Sequence, residues 1–225
     1  MTLLQMTPQF WTQLLPHRTQ ILYSADIGMI LTNLDVVAGS RVCEAGTGSG
    51  SLTHSLAVTV GVKGHVFTHD FHLTRVEMAR VEFERHSLSD VVTCVCRDVI
   101  NHGFYESATN IDAVFLDLPR PWDTIKHCKK VLNKGGRICC FTPCIEQAQR
   151  SVLSLKEFGF IDLDTLECSL NNFKLRCMTQ PSVDFSVPLP KEELDMTVKK
   201  TLSFNQIKND YDHTGFLTFA TLSNE

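Results

Sequence analysis

Three glycines at alternate positions, in Arg41-Val42-Cys43-Glu44-Ala45-Gly46-Thr47-Gly48-Ser49-Gly50-Ser51-Leu52, leave this chain few folds to choose from. The apolar run before them reads as a short buried strand, and the residues from Ser51 read as the start of a helix. Glycine lets the backbone turn tightly and lets a ligand approach main-chain N–H groups. A helix opening at Ser51 points its unpaired N–H groups into the same space. The spacing is G-x-G-x-G, not the G-x-G-x-x-G of dinucleotide sites, and no Gly-Lys-Ser/Thr follows to cradle phosphate. Glu44 stands immediately before the loop, where its charge repels a pyrophosphate and suits a cationic or hydroxyl-rich ligand. On this stretch alone, a plain strand-to-helix turn of an α/β domain remains the other reading.

The rest of the chain repeats that alternation. Residues 1–12 read as irregular. Ser24 is placed to cap a helix through Leu34, with Ile27, Ile30, Leu31 and Leu34 on one stripe. Before it, His17-Arg18-Thr19-Gln20 is either a solvated loop or a polar wall beside the glycines. A helix over Ser51–Val60 leads to a second strand, His65–Asp70, and a helix from about Leu73 to His86 carries Arg75 in its first turn. Val91–Asp98 and Ile111–Asp117 are the third and fourth strands. Pro121 opens a helix over Trp122–Leu132, stopped by Asn133-Lys134-Gly135-Gly136 before a fifth strand, Arg137–Pro143. A helix from Ile145 to about Phe158 precedes the last two strands, Ile161–Cys168 and Gly215–Leu222. Between those lies Gln180–His213, with three prolines and the charged Lys191-Glu192-Glu193, which reads as an exposed or partly disordered insertion.

Strands two, three and four all end in an acidic residue. In one parallel, helix-flanked sheet this brings Asp70, Asp98 and Asp117 to the carboxyl edge, where ligands of open α/β sheets bind. Asp70, about 20 positions after the loop, is placed to accept hydrogen bonds from ribose hydroxyls. The final strand follows a long excursion and is expected to be antiparallel, near the end of a seven-stranded sheet.

The 225 residues suffice for one α/β domain with a large core, or for one domain and an extension. No run of about 18 apolar residues suggests a membrane span. Met1-Thr2-Leu3-Leu4-Gln5 has no basic region or cleavage-type apolar core, so no secretory signal is expected. The nine cysteines are odd in number and include no C-x-x-C pair; they read as reduced core thiols of an intracellular protein, and no metal site is expected. A net charge of −4 means that any nucleic-acid contact is a local patch or depends on a partner.

Glu44-x-Gly46-x-Gly48-x-Gly50, with the acidic strand ends, resembles the class I S-adenosylmethionine-dependent methyltransferases. More narrowly, the chain is similar to the catalytic-subunit family of tRNA (adenine-N1)-methyltransferases acting on the T-loop adenosine. The segments that carry this are Leu15-Pro16-His17-Arg18-Thr19-Gln20-Ile21-Leu22-Tyr23-Ser24-x-Asp26, Gly46–Ser51, Asp117-Leu118-Pro119-x-Pro121-Trp122, Pro143-Cys144-Ile145-Glu146-Gln147-x-Gln149-Arg150, and His213–Ala220. They run in the family's order from about Pro8 to the end.

The resemblance implies an α/β, Rossmann-like fold: a seven-stranded, mostly parallel sheet with helices on both faces and an antiparallel last strand. It implies S-adenosylmethionine as cofactor, held by Leu22, Ser49, Gly50, Ser51, Leu52, Asp70, Arg75 and Asp117, with Asp98 and Val99 flanking the adenine. It makes Asp117 the catalytic carboxylate and lets Trp122 and Pro121 stack on a flipped base, with a core aromatic at a helix start as the other reading of Trp122. It implies tRNA and a related non-catalytic subunit, in a heterotetramer, as partners, and the nucleus ahead of the mitochondrion as compartment. Residues 1–23 then form an N-terminal segment and cofactor-side loop, and 24–225 the methyltransferase domain with its 180–213 insertion.

Two departures stand out. The family's N-terminal β-rich domain has no counterpart before residue 1, so a truncated form that binds partner or cofactor without turnover is the alternative expectation. Arg120 stands where the family has a small residue. A nicotinamide-dependent oxidoreductase is disfavoured by the loop spacing and by Glu44.

Overall fold

The computed structural model describes residues 5–169, 173–182, 197–206 and 214–224. The chain divides into two compact units, one comprising residues up to Cys168 and from His213 onward, the other Ser169–Asp212. The larger unit is built on seven strands: β1 (Arg41–Ala45), β2 (His65–Asp70), β3 (Val92–Cys96), β4 (Ile111–Leu116), β5 (Leu132–Thr142), β6 (Phe160–Glu167) and, late in the chain, β9 (Phe216–Leu222). Their order is β3-β2-β1-β4-β5-β9-β6. The first five are mutually parallel, and β9 runs antiparallel between β5 and β6, as the pattern of elements anticipates. The strand order reverses at β1, which pairs with β2 on one side and β4 on the other. That reversal opens a crevice at the carboxyl ends of β1 and β4.

Helices cover both faces, which is why the central strands are apolar on both sides. One face packs under α2 (Ser24–Asn33), α3 (Ser51–Val60) and α4 (Leu73–Arg85), around Ile30, Leu56, Val76, Phe83 and Phe115. The other packs under α5 (Val99–His102), α6 (Ile125–Val131) and α7 (Ile145–Glu157), around Val114, Leu116, Ile125, Cys128, Ile138 and Leu155. Along β4 the side chains alternate, Ala113 and Phe115 to the first face and Val114 and Leu116 to the second, which continues Asp117 toward the first. All nine cysteines are free, and burial pushes the Cys94 and Cys140 thiols up to about 12, so these behave as small apolar side chains. Among the described residues no helix is long and apolar enough to cross a membrane.

Several local expectations are corrected. Residues Pro8–Leu14 form a helix, α1, where irregular chain was expected; the Thr7 hydroxyl accepts from Phe10 N–H and Pro8 supplies a preset first turn. Ser24 is the first residue of α2 and not its cap; Tyr23 holds that position without a side-chain bond. The helix expected over Trp122–Leu132 is a 3-10 turn, Pro121–Asp123, followed by α6 alone. Leu132 and the glycines after it already belong to β5, because Leu132 pairs with Ile111. The smaller unit is a hairpin, β7 (Phe173–Ser182) against β8 (Thr197–Gln206), so part of the expected insertion is sheet. Residues 183–196 and 207–213, with Lys191-Glu192-Glu193 and His213, lie outside the described residues.

Candidate active site

The glycine loop is shaped by what lies against it. Gly46 N–H donates to the His69 carbonyl at 2.8 Å, and Asp117 N–H donates to the Ala45 carbonyl at 2.9 Å. Gly46 has φ +106°, and a Cβ there would overlap the Asp117 carbonyl. Gly48 has φ +52°, and a Cβ there would stand 2.7 Å from the Thr19 hydroxyl. The loop thus needs glycine both for its conformation and for the close approach of β4 and of residue 19.

Three carboxyls surround this loop. Glu44 is buried, and both Thr53 and Thr68 donate to its Oε2 at 2.6 Å; Thr68 in turn accepts from Thr47 at 2.6 Å. Burial pushes Glu44 up to about 7, against those hydrogen bonds and with the help of the Asp117 and Asp70 charges. Asp70, also buried, accepts from Gly48 N–H (3.2 Å) and His72 N–H (2.9 Å) and pairs with Arg75 at 2.8 Å. Asp117 keeps a solvent-exposed face, yet the crevice walls and, after them, the Asp70 charge push its carboxyl up to about 6. Water at the open face opposes that shift, so Asp117 is an acid at a cleft mouth and not a core acid. The recess between these groups is walled by Thr19 to Leu22, Glu44, the glycine loop, Leu52, Phe115 and Asp117. Two carboxyls pushed up in part by neighbouring negative charge call for a cationic ligand, and the Nε of Arg75 is buried beside Asp70 without a partner among the described residues. A cation that also carries hydroxyls fits this donor and acceptor set.

The structure distributes the expected cofactor residues unevenly. Leu22 and Leu52 line the recess, and Gly50 is the N-cap of α3, in the left-handed region with φ 78°. Ser49 and Ser51 line it as well, but their hydroxyls are committed. Ser49 Oγ accepts from Arg18 N–H (2.9 Å) and Thr19 N–H (3.1 Å). Ser51 Oγ donates to the Leu22 carbonyl at 3.0 Å and accepts from Thr12 at 2.9 Å. What these two serines offer a ligand is main chain. Arg75 is occupied by Asp70 and lies 5.5 Å over the Phe71 ring. Asp98 and Val99 follow β3 and are not in the recess wall. Asp98 caps α5 through Ile100 N–H and Asn101 N–H, and its bond from the Asn101 amide holds it below the usual carboxylate range. The Val99 side chain is buried in the second core layer, leaving its backbone to a ligand.

Of the run left open between loop and wall, Thr19 and Gln20 line the recess and His17 is exposed, while the Arg18 guanidinium grips Glu82 of α4 at 2.5 and 3.0 Å. Glu82 is 64 positions away, so nothing local signals the pair. His69 is neutral, its Nδ1–H donating to the Glu44 carbonyl (3.0 Å) and its Nε2 accepting from Tyr105 N–H (3.1 Å); burial pushes it down to about 4. It braces β1 from behind. Pro121 is buried, and Arg150 lies 5.5 Å over the Trp122 ring, so the base-stacking surface expected there is partly taken. Among the described residues no group of three or more His, Cys, Asp or Glu side chains is placed to hold a metal.

A family model described as tRNA methyltransferase complex GCD14 subunit matches residues 1–210. The catalytic subunit of tRNA (adenine(58)-N(1))-methyltransferase of Schizosaccharomyces pombe is 43% identical over 84% of this chain and 54% of its own length. The catalytic subunit of the same name from Dictyostelium discoideum is 38% identical over 96% of this chain and 76% of its own. The chain spans about half the length of the first three curated relatives it matches. Among solved structures, a SAM-dependent O-methyltransferase of Thermotoga maritima superposes with a TM-score of 0.78, at 27% identity, over 97% of this chain and 72% of its own. The tRNA (m1A58) methyltransferase of Aquifex aeolicus gives 0.73 at 21% identity over 96% and 76%, a likeness of fold.

Proposed function

The chain belongs to the family of tRNA methyltransferase complex GCD14 subunits, and from that premise we propose that it methylates N1 of adenine in RNA, using S-adenosylmethionine. The substrate in this reading is the T-loop adenosine of tRNA. The observation that carries it is Asp117, a carboxyl pushed up to about 6 at the mouth of a recess that Glu44 also lines and on which the Asp70 charge acts.

S-adenosylmethionine is a sulfonium cation with ribose hydroxyls, and when bound it supplies an electrophilic methyl group. In this reading Asp70 takes the hydroxyls, the main chain of Ser49–Leu52 and Leu22 hold the remainder, and Asp98 and Val99 flank the adenine. Glu44, held by Thr53 and Thr68, closes the pocket floor and adds negative charge there once ionised. Adenine N1 has an in-plane lone pair, so the protein positions the base and has little need of a strong general base. Asp117 accepts from the exocyclic amine, which turns N1 toward the recess. As N1 becomes alkylated the ring gains positive charge, the amine proton becomes more acidic, and the ionised Asp117 stabilises it. Such a group contributes about two to four orders of magnitude in rate.

The mildly acidic chain, at −4, supports a division of labour in which a related, non-catalytic subunit supplies much of the RNA surface in a heterotetramer. The nucleus is the compartment this reading assigns. The test is transfer of labelled methyl groups to a tRNA transcript by the chain assembled with that subunit. Wild type is expected to form 1-methyladenosine, and Asp117→Ala to lose about a hundredfold or more of kcat/KM while still binding S-adenosylhomocysteine. Asp117→Ala within threefold of wild type would overturn the assignment. Cofactor binding with no turnover in wild type would favour a binding role.

A further inference from the structure

The 3-10 turn Pro121–Asp123 follows Asp117 by four residues and packs against α7. Ser154 of α7 donates to the Trp122 carbonyl at 3.0 Å, fixing the turn to that helix. The indole is half-buried against the second core layer. Arg150, one turn earlier on α7, lays its guanidinium 5.5 Å over the ring, within the range of a cation–π contact. Arg150 is exposed and, among the described residues, makes no salt bridge or hydrogen bond. Arg120, two residues before Trp122, is exposed and, among the described residues, its side chain pairs only with Asp123, at 3.2 Å. Gln147, one turn before Arg150, leaves its amide oxygen buried without a partner.

An arginine held flat on an aromatic ring, with no carboxylate partner, keeps its donor edge free at little further cost in side-chain entropy. The other strong cations near the recess are spent: Arg18 on Glu82 and Arg75 on Asp70. Resting on the RNA reading above, we propose that Arg150, positioned by Trp122 and assisted by Arg120, binds a backbone phosphate next to the target nucleotide. A base that reaches Asp117 brings its own phosphates to this rim. Trp122 then works as a positioning residue for an arginine and not as a stacking plate for the base. Arg120, a departure from the small residue at this place in the family, adds a second cation beside the same rim.

The test is binding of a T-arm stem-loop RNA to the full chain assembled with its related subunit, measured by fluorescence anisotropy over a range of salt, with methyl transfer recorded in parallel. Arg150→Gln is expected to weaken binding about tenfold and to lower the salt slope by about one, since one phosphate contact is lost. In turnover its KM is expected to rise more than its kcat falls. Arg150→Lys, which keeps the charge but not the planar stack, falls between. Trp122→Leu is expected to reproduce the Arg150→Gln loss, and the double variant to be no weaker than either single one. S-adenosylhomocysteine affinity, which reads folding and the pocket, stays at the wild-type value in all three single variants. Unchanged RNA affinity in Arg150→Gln, or fully additive losses for the pair, would overturn the proposal whatever the turnover. Arg150-dependent binding without methyl transfer would support it and count against the catalytic reading alone.

Discussion

Ser49→Ala removes one oxygen and tests how the recess is walled. Its hydroxyl accepts from two consecutive main-chain N–H groups, Arg18 and Thr19, and lies 3.2 Å from the Thr19 hydroxyl. Alanine leaves both N–H groups without that acceptor in a part-buried site. An orphaned buried donor costs about 1–3 kcal/mol; partial water access places each here near the low end, for a total of about 2 kcal/mol. For a chain of this size that corresponds to a fall in melting temperature of about 4–8 °C. The same change loosens the 19–22 wall, which a ligand must then order as it binds. At 1.4 kcal/mol per tenfold, S-adenosylhomocysteine affinity is expected to fall by about ten- to thirtyfold. Calorimetric titration beside a thermal melt measures both. A variant that melts within about 1 °C of wild type and binds equally well would refute the clamp and, with it, the reasoning that residues 17–20 belong to the site.

Gly46→Ala meets the Asp117 carbonyl and a φ of +106°, and is expected to cost about 2 kcal/mol or more and to abolish detectable cofactor binding, by melt and titration. Glu44 has a folded-state value of about 7 against 4.5, so the native state binds its proton more tightly than the unfolded state. Its contribution is therefore favourable at low pH and is lost as pH rises from about 4.5 to 7, by at most about 3 kcal/mol; Glu44→Gln is expected to flatten stability across that window in denaturant titrations. On the proposed reading Asp117 acts ionised, so kcat/KM of the chain assembled with its related subunit should fall as pH drops through about 6, and Asp117→Asn should leave a low, pH-independent residual rate.

Much of the fold was legible because it rests on short-range pattern. Apolar strands alternating with helices fix a parallel sheet covered on both faces, and a last strand after a long excursion enters antiparallel. The glycine spacing and the acidic residues at the ends of β2 and β4 pointed to the crevice where the candidate site is placed, because a strand's last residue must lie at the sheet's carboxyl edge whatever else the chain does. Boundaries were less legible. Whether Leu132 ends a helix or begins β5 depends on Ile111 across the sheet, and the cap of α1 competes with no long-range signal.

The chemistry of the site belongs to tertiary structure. In the sequence Glu44 is one acidic residue before a loop; in the fold two threonines, 9 and 24 positions away, share one of its oxygens, and burial lifts it to about 7. Ser49 reads as a ligand contact, and packing turns its hydroxyl into the clasp for residues 30 and 31 positions earlier. Trp122 reads as a surface for a base until Arg150, from a different helix, covers its ring. Desolvation, shared acceptors and occupied ring faces depend on which distant groups meet. Local pattern determined where the candidate site is sought, and the meeting of distant residues decided what each group in it can do.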